Sequence, residues 1–241
     1  MRKTILVTGA SGNVAGLIAP MLRSAFRLRR LDIREAQVEG DDEVVTGDVR
    51  DVALVASACS GVAAVVHLAA EADEADFRGK LLPDNIDATW AVFEAAVQAK
   101  VPRFVFASSI QTIGGYPEPV PVPSDAAPRP VSTYGCTKVF GEALGRLHAD
   151  KSGLGVACLR IGAVRRTGDP TLTGDRIHRV WCGSDDLGRL IIATIASTVP
   201  FAIVTAVSLP AANRFDTSNP YGWTPADRPA GPRGRGASWG N

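Results

Sequence analysis

Cysteine, tyrosine, methionine and lysine are all scarce in this chain of 241 residues, at four, three, two and five copies. The cysteines, at positions 59, 136, 158 and 182, form no C-x-x-C and no metal-like cluster with the three histidines. That spacing excludes a disulfide framework and a zinc ribbon, and no metal is expected; reduced, mostly buried thiols in a cytoplasmic protein fit it. A surplus of charge is also missing. Lys and Arg number 26 against 25 Asp and Glu, a formal net charge of +1, which gives no electrostatic case for nucleic acid or anionic lipid.

Long apolar runs are nearly absent. The start, MRKTILVTGA, carries the charges of a signal peptide on too short an apolar run. Leu190 to Leu209 has no charged residue and is long enough to cross a bilayer, but Pro200 splits it and Thr and Ser are scattered through it. A buried helix followed by a buried strand is the reading the breaker and length criteria favour, and no membrane segment is expected. No internal repeat is visible.

What is present alternates between strand and helix. Short apolar strands are predicted at Thr4–Thr8, Arg27–Ile33, Glu43–Thr46, Ala63–His67, Phe104–Ala107 and Gly155–Arg160. Helices are predicted near Asn13–Ser24, Val52–Cys59, Ile86–Lys100 and Ser132–Lys151, with a proline-rich loop from Pro117 to Pro130. Continuous apolar strands separated by helices predict an α/β fold, a doubly wound parallel sheet covered on both faces. At this length one domain is expected, with residues 1–160 as its core, 161–224 as a small substrate-binding part and 225–241, rich in Gly, Pro and Arg, as a mobile tail.

Directly after the first strand comes TGASGNVAG, with Gly9, Gly12 and Gly16 at a strand-to-helix turn. Glycines there let the backbone approach a pyrophosphate at the positive end of a helix. The spacing is G-x-x-G-x-x-A-G rather than G-x-G-x-x-G, so the turn alone is a weak signal. Asp32 strengthens it: about twenty residues on, at the end of the second strand, an acid can accept both ribose hydroxyls of adenosine. It also repels a 2′-phosphate, which favours NAD over NADP, although Arg34 nearby could accommodate that phosphate. Asp48 and Val49, after the third strand, are placed to meet the adenine edge.

The most specific pattern is STYGCTK, with Tyr134 and Lys138 four residues apart on one helix face. At this composition a chance Tyr-x-x-x-Lys is an event of roughly 6%, so the pair asks for a chemical reason. An ordinary Tyr, with a pKa of about 10, is a poor base at neutral pH. A neighbouring ammonium favours the phenolate, which makes the pair a proton acceptor for a substrate alcohol. Ser109 lies upstream with Ser108 beside it. His67, at a strand end, reads as a packed residue rather than a catalyst.

Together these segments resemble the extended branch of the short-chain dehydrogenase/reductase superfamily, the NAD-dependent epimerase/dehydratase family, over nearly the whole chain up to about residue 224. TGASGNVAG is similar to its nucleotide-binding turn, GDVRD to its adenine pocket, VVHLAA to the strand bordering the nicotinamide, and FVFASSIQTIGGY with YGCTK to its catalytic segments. The resemblance implies a Rossmann-type fold and the cofactor NAD. It implies a catalytic set of Ser109, Tyr134 and Lys138, in which Lys138 holds the ribose and lowers the Tyr pKa. Gly9, Ser11, Gly12, Asn13, Val14, Asp32, Ile33, Asp48, Val49, Leu68, Ala69, Ala70, Asn85, Tyr134, Lys138 and Ile161 would line the cofactor. Asn85 would also serve as a structural residue opening a helix. A homodimer paired through the helices near 86–100 and 132–151 is implied as well.

Within that branch the pattern is most similar to uronate dehydrogenase-like members. The short C-terminal part implies a small substrate rather than a nucleotide sugar. Arg176 falls where those proteins use an Arg to bind a carboxylate, with Ser109 and Ile110 also facing the substrate. Ala72, Ile110 and Ala163 stand where they carry polar contacts, and Val164–Thr173 is an insertion. The resemblance with these departures implies hydride transfer between NAD and a small sugar, sugar acid or related alcohol, in a pocket less polar than usual. An NAD-retaining sugar epimerase and a non-catalytic NAD-binding protein are the alternatives.

Overall fold

The computed structural model describes residues 2–35, 37–166, 179–208 and 214–228. Seven parallel strands form one sheet: β1 (Thr4–Thr8), β2 (Arg27–Asp32), β3 (Glu43–Thr46), β4 (Ala64–His67), β5 (Arg103–Ser109), β6 (Gly155–Ile161) and, last in the chain, Phe201–Ala206, which is β9. Their order in space is β3-β2-β1-β4-β5-β6-β9. The order reverses beside β1, so β1 and β4 part at their carboxyl ends and leave a crevice between the loops that follow them.

Period-two alternation sends side chains to two cores. Ile5, Val7, Val66, Val105 and Leu159 face α1 (Asn13–Ala25) and α5 (Ser184–Ala196), packing on Ile18, Leu22, Leu187 and Leu190. Leu6, Val65, Phe104, Phe106 and Cys158 face α2 (Val52–Cys59), α3 (Ala88–Gln98) and α4 (Thr133–Ser152), packing on Val55, Phe93 and Leu144. Both faces are covered, as continuous apolar strands require. The uncharged run from Leu190 is the end of α5 followed by β9, and no helix among the described residues is long and apolar enough to cross a membrane.

Three features depart from the sequence expectation. The helix predicted from Ile86 is preceded by a wide, π-type helical segment, Phe77–Asp87, which runs straight into α3. Pro83 lies inside it and lacks an N–H, so the stretch reads as a break in any 3.6-residue pattern. A second, two-stranded parallel sheet joins β7 (Ala163–Arg165) to β8 (Trp181–Gly183), elements too short to show a period. The expected tail also begins too early. Asp227 is buried, its N–H donating to Asp186 and its carboxylate accepting from Arg189 and from the Asp186 N–H. Residues 225–228 are therefore tied to the start of α5, and the rest of the tail, 229–241, lies outside the described residues.

Candidate active site

A cavity of about 1240 Å³ runs along the carboxyl ends of the strands, from Asp32 at one end to Arg179 and Phe215 at the other. Its floor is the glycine turn. Gly9 has φ +66, and a Cβ there would come within 2.6 Å of the Ala69 backbone nitrogen. The turn and the strand end Leu68–Ala70 can thus approach only through a glycine. Gly9→Ala is expected to destabilise the fold by about 2 kcal/mol or more, read as a fall in the urea midpoint.

The start of α1 is poorly satisfied from within. Its cap, Gly12, offers no side-chain hydrogen bond, its first turn carries no acid, and the Ser11 hydroxyl is buried with no partner. Unmet donors at a helix N-terminus suit a phosphate group. At the end of β2, Asp32 accepts from the backbone N–H of Ser11 at 2.9 Å and of Arg34 at 3.0 Å. Burial works against its charge, but those two N–H groups and the Arg34 guanidinium outweigh it and hold the carboxyl below its ordinary range. Asp48 is likewise held low, chiefly by hydrogen bonds from Arg50. Gly12, Asn13, Val14, Ile33, Asp48, Val49 and Ile161 all line the cavity with Asp32.

Ser109 ends β5 and Tyr134 opens α4, both line the cavity, and the Ser109 hydroxyl is near enough to favour the phenolate. The neighbouring Ser108 is excluded from that role, because its hydroxyl donates to buried Glu142 at 2.6 Å. One turn beyond Tyr134, the Lys138 ammonium stands 5.5 Å from the Tyr134 ring centroid and 5.3 Å from that of Phe106. It makes no hydrogen bond to another described side chain, so its donors are open to the cavity it lines. His67 lies beneath them, held by Thr8 at 2.7 Å and pushed down to about 3 by burial and then by Lys138, so it packs as a neutral ring.

The electrostatics differ from the sequence expectation that Lys138 lowers the Tyr134 pKa. Burial pushes the phenol up to about 12, the nearby Ser109 hydroxyl opposes this, and Asp73 and Glu71 add to it. The ammonium sits over the ring rather than on the phenol oxygen. Burial also brings Lys138 down to about 8. A lowered Lys costs stability while it is charged in the fold, and the unfolded chain holds the proton up to its ordinary value. This contribution makes stability rise between about pH 8 and pH 10.5. Tyr134 acts oppositely between about pH 10 and 12, where the unfolded chain ionises first. Urea midpoints from pH 8 to 10 are expected to climb more steeply for the native chain than for Lys138→Met.

Several residues the sequence reading passed over complete the site. Asn85 is expected beside the cofactor, and it stands just behind the cavity wall. Its side chain is spent on the Glu71 backbone and on Thr137, at 2.8 Å and 3.0 Å, and Thr137 in turn donates to the Tyr134 carbonyl. Ser11 also stands behind the lining, although its N–H is what meets Asp32. Glu74 accepts from the Tyr134 N–H at 2.9 Å, and Ser132 caps the same helix start. The loop after β4 is therefore fastened to the turn that carries Tyr134.

At the substrate end Ala72, Ile110 and Ala163 do line the cavity. They do not leave it apolar. Asp73 and Gln111, one residue further along in each loop, line it as well and lie 3.3 Å apart, as do Arg165 at the end of β7 and Arg179 just before β8. Arg176 lies outside the described residues.

A seven-stranded parallel sheet of this order, with a glycine turn after its first strand and an acid ending its second, defines a dinucleotide-binding fold. Residues 5–173 match the NAD dependent epimerase/dehydratase family, and the chain belongs to that family. Uronate dehydrogenase from Agrobacterium fabrum is 34% identical over 230 residues, 93% of this chain and 85% of the relative. The L-arabinose 1-dehydrogenase (NAD(P)(+)) of Haloferax volcanii is 34% identical over 251 residues, 94% of this chain and 97% of the relative. Among solved structures, a variant of uronate dehydrogenase from Agrobacterium tumefaciens in complex with NAD superposes with a TM-score of 0.87 at 33% identity, covering 95% of this chain and 86% of the other.

Proposed function

We propose that this protein is an NAD-dependent oxidoreductase that moves a hydride between NAD and a hydroxyl or carbonyl of a small sugar, sugar acid or related alcohol. The observation that carries the reading is the gathering of Ser109, Tyr134 and the Lys138 ammonium on the wall of one cavity that reaches Asp32. The donor set fits the cofactor. Unmet N–H groups at the start of α1 suit the pyrophosphate, the Asp32 carboxylate suits the adenosine ribose, and Lys138 suits the second ribose.

NAD held by these residues would supply the hydride acceptor. Ser109 and Tyr134 hold the reacting oxygen between them, and Tyr134 takes its proton as the carbon is oxidised, or returns it in the reverse direction. Lys138, charged below about pH 8, adds a cation close to the ring from which the proton is exchanged. The clamp of Asn85, Thr137 and Glu74 fixes the height of that ring above the strand ends. The single domain works in the cytoplasm as a homodimer; half-exposed Trp90 on α3 and Leu147 on α4 support pairing through those helices.

The test is NADH formation by the purified protein with NAD and a panel of uronates, neutral aldoses, small secondary alcohols and nucleotide sugars. Net NADH with one of the small substrates supports the reading. Tightly held cofactor with sugar isomerisation and no net NADH overturns it in favour of an epimerase.

A further inference from the structure

Ser109, the helix start that carries Tyr134, and the acid Asp73 belong to three different segments, and one residue, Gln111, reaches all three. It lies in the single turn Ile110–Thr112 that follows β5, half-buried on the cavity wall. Its backbone N–H donates to the Ser109 Oγ at 3.2 Å, and its carbonyl accepts from the Val131 N–H at 3.2 Å. Its side-chain Nε2 donates to Asp73 Oδ1 at 3.3 Å, and its Oε1 accepts from the Ser132 hydroxyl at 2.5 Å. The Ser132 Oγ in turn accepts from the Gly135 N–H at 2.9 Å, which caps α4.

The acid end sets the direction of this chain. A carboxylate only accepts, so the Gln111 amide turns its NH₂ to Asp73 and its oxygen to Ser132. The Ser132 hydroxyl then donates its one proton to Gln111 and keeps a lone pair for the helix N–H. At Ser109 the logic is the same: a hydroxyl that accepts the Gln111 N–H keeps its own proton for a group in the cavity. The join is also tight, because a Cβ at Gly135 would come within 2.9 Å of the Gln111 carbonyl oxygen. Tyr134 lies between Ser132 and Gly135, and its own N–H is held by Glu74, from the same loop as Asp73. A shift at Asp73 or Gln111 therefore passes to the backbone that carries the phenol. Misplacing a reacting group by about 1 Å can cost about 100-fold in rate.

We propose that Gln111 is a positioning residue: it locks the first turn of α4 to the Asp73 loop, aims the Ser109 hydroxyl, and so sets Ser109 and Tyr134 against each other. This rests on the oxidoreductase reading for the role of Tyr134. The place of the phenol can be read without turnover, because the chain has only three tyrosines, Tyr116, Tyr134 and Tyr221.

In protein carrying tyrosine isotopically labelled at Cζ, the NMR signal missing from Tyr134→Phe is that of Tyr134. This signal, kcat on the panel substrate and NAD affinity are measured for Gln111→Met, for Gln111→Glu, and for the exchange Asp73→Asn with Gln111→Glu. Gln111→Met removes both side-chain links, and Gln111→Glu sets a second carboxylate against Asp73. Each is expected to move or broaden the Tyr134 signal and to lower kcat by about 10- to 100-fold. NAD affinity is expected to stay within about twofold and so report an intact fold. The exchange keeps the net charge and rebuilds the chain, because the Asn amide donates to the new carboxylate, which accepts from Ser132 as before. It is expected to return the signal to its native position and kcat to within about threefold of native. Native signal and native kcat in both single variants would overturn the assignment, as would an exchange that binds NAD normally and rescues neither readout. So would a loss of kcat with an unmoved Tyr134 signal, because Gln111 would then act on the substrate directly, or a loss of NAD affinity in both single variants, because it would then hold the fold. Absence of NADH formation by the native chain, with the signal following the expected pattern, would count against the oxidoreductase reading and leave Gln111 as the residue that places Tyr134.

Discussion

Tyr134→Phe is expected to lower kcat by about 100- to 10,000-fold, the range a positioned acid–base group supplies. The substitution removes one oxygen from a ring that is otherwise buried between Ser109 and Lys138. A phenylalanine fits the same space, so the fold and the cofactor groove remain. Lys138 and Asp32 keep their places, and KM for NAD should move by less than about threefold. The loss therefore belongs to the proton-transfer step and not to binding. Steady-state kinetics on the substrate found in the panel check this, and a variant with native kcat would remove Tyr134 from the chemistry. A pH profile adds a sign. The phenol is held up in the free protein, by burial first and then by the Asp73 and Glu71 charges. Asp73→Asn should accordingly shift the ascending limb of kcat/KM for oxidation, along which the phenol loses its proton, to lower pH.

The largest expected effect on stability lies two turns further along α4. Arg160 is 1% exposed and Glu142 3% exposed. The Arg160 Nε donates to Glu142 Oε1 at 2.9 Å and Nη2 to Oε2 at 2.8 Å, while Nη1 reaches the Ala126 carbonyl and Ser108 donates to Oε1. Glu142→Gln leaves a guanidinium buried without its counter-charge, and a loss of about 3–5 kcal/mol is expected from urea unfolding. Replacing both partners, as Glu142→Leu with Arg160→Met, should recover much of that loss, because the desolvation cost of two ions disappears with them. A midpoint shift worth less than about 1 kcal/mol for Glu142→Gln would mean the pair is as weak as a surface bridge. The pair also bears on the site. It engages the Ser108 hydroxyl, which leaves Ser109 as the free hydroxyl on the Tyr134 side.

The parallel sheet was legible because its strands are short apolar runs separated by helices. β1, β3 and α2 fall at the predicted boundaries, and the others within a few residues. The glycine turn and Asp32 were legible for a related reason: both lie at fixed distances along the chain from the first strand. Short-range signals failed where geometry depends on a distant neighbour. The wide helix Phe77–Asp87 and the β7–β8 pair carry no periodic pattern. The four residues 225–228 look like the start of a polar tail, yet Asp227 is drawn in by Asp186 and Arg189, about forty residues away.

The site shows the same division. Tyr134 and Lys138 share a helix face, so their proximity follows from spacing alone. That Asn85 would be spent on Glu71 and Thr137 could not be read from its position in the sequence. Nor could the choice between Ser108 and Ser109, because it is made by Glu142 on another element. The expectation of a less polar pocket compared positions 72, 110 and 163 one at a time. Asp73, Gln111 and Arg165 become visible as lining residues only when the loops are brought together.

The most direct measurement of the central claim is deuterium transfer. The protein is incubated with NAD and perdeuterated forms of the panel sugars, and the recovered nicotinamide cofactor is analysed by mass spectrometry. One deuterium per molecule of reduced cofactor released, at a rate that falls with Tyr134→Phe, is the result expected of a hydride-transferring dehydrogenase. Sugar conversion with no deuterium in released cofactor would contradict it.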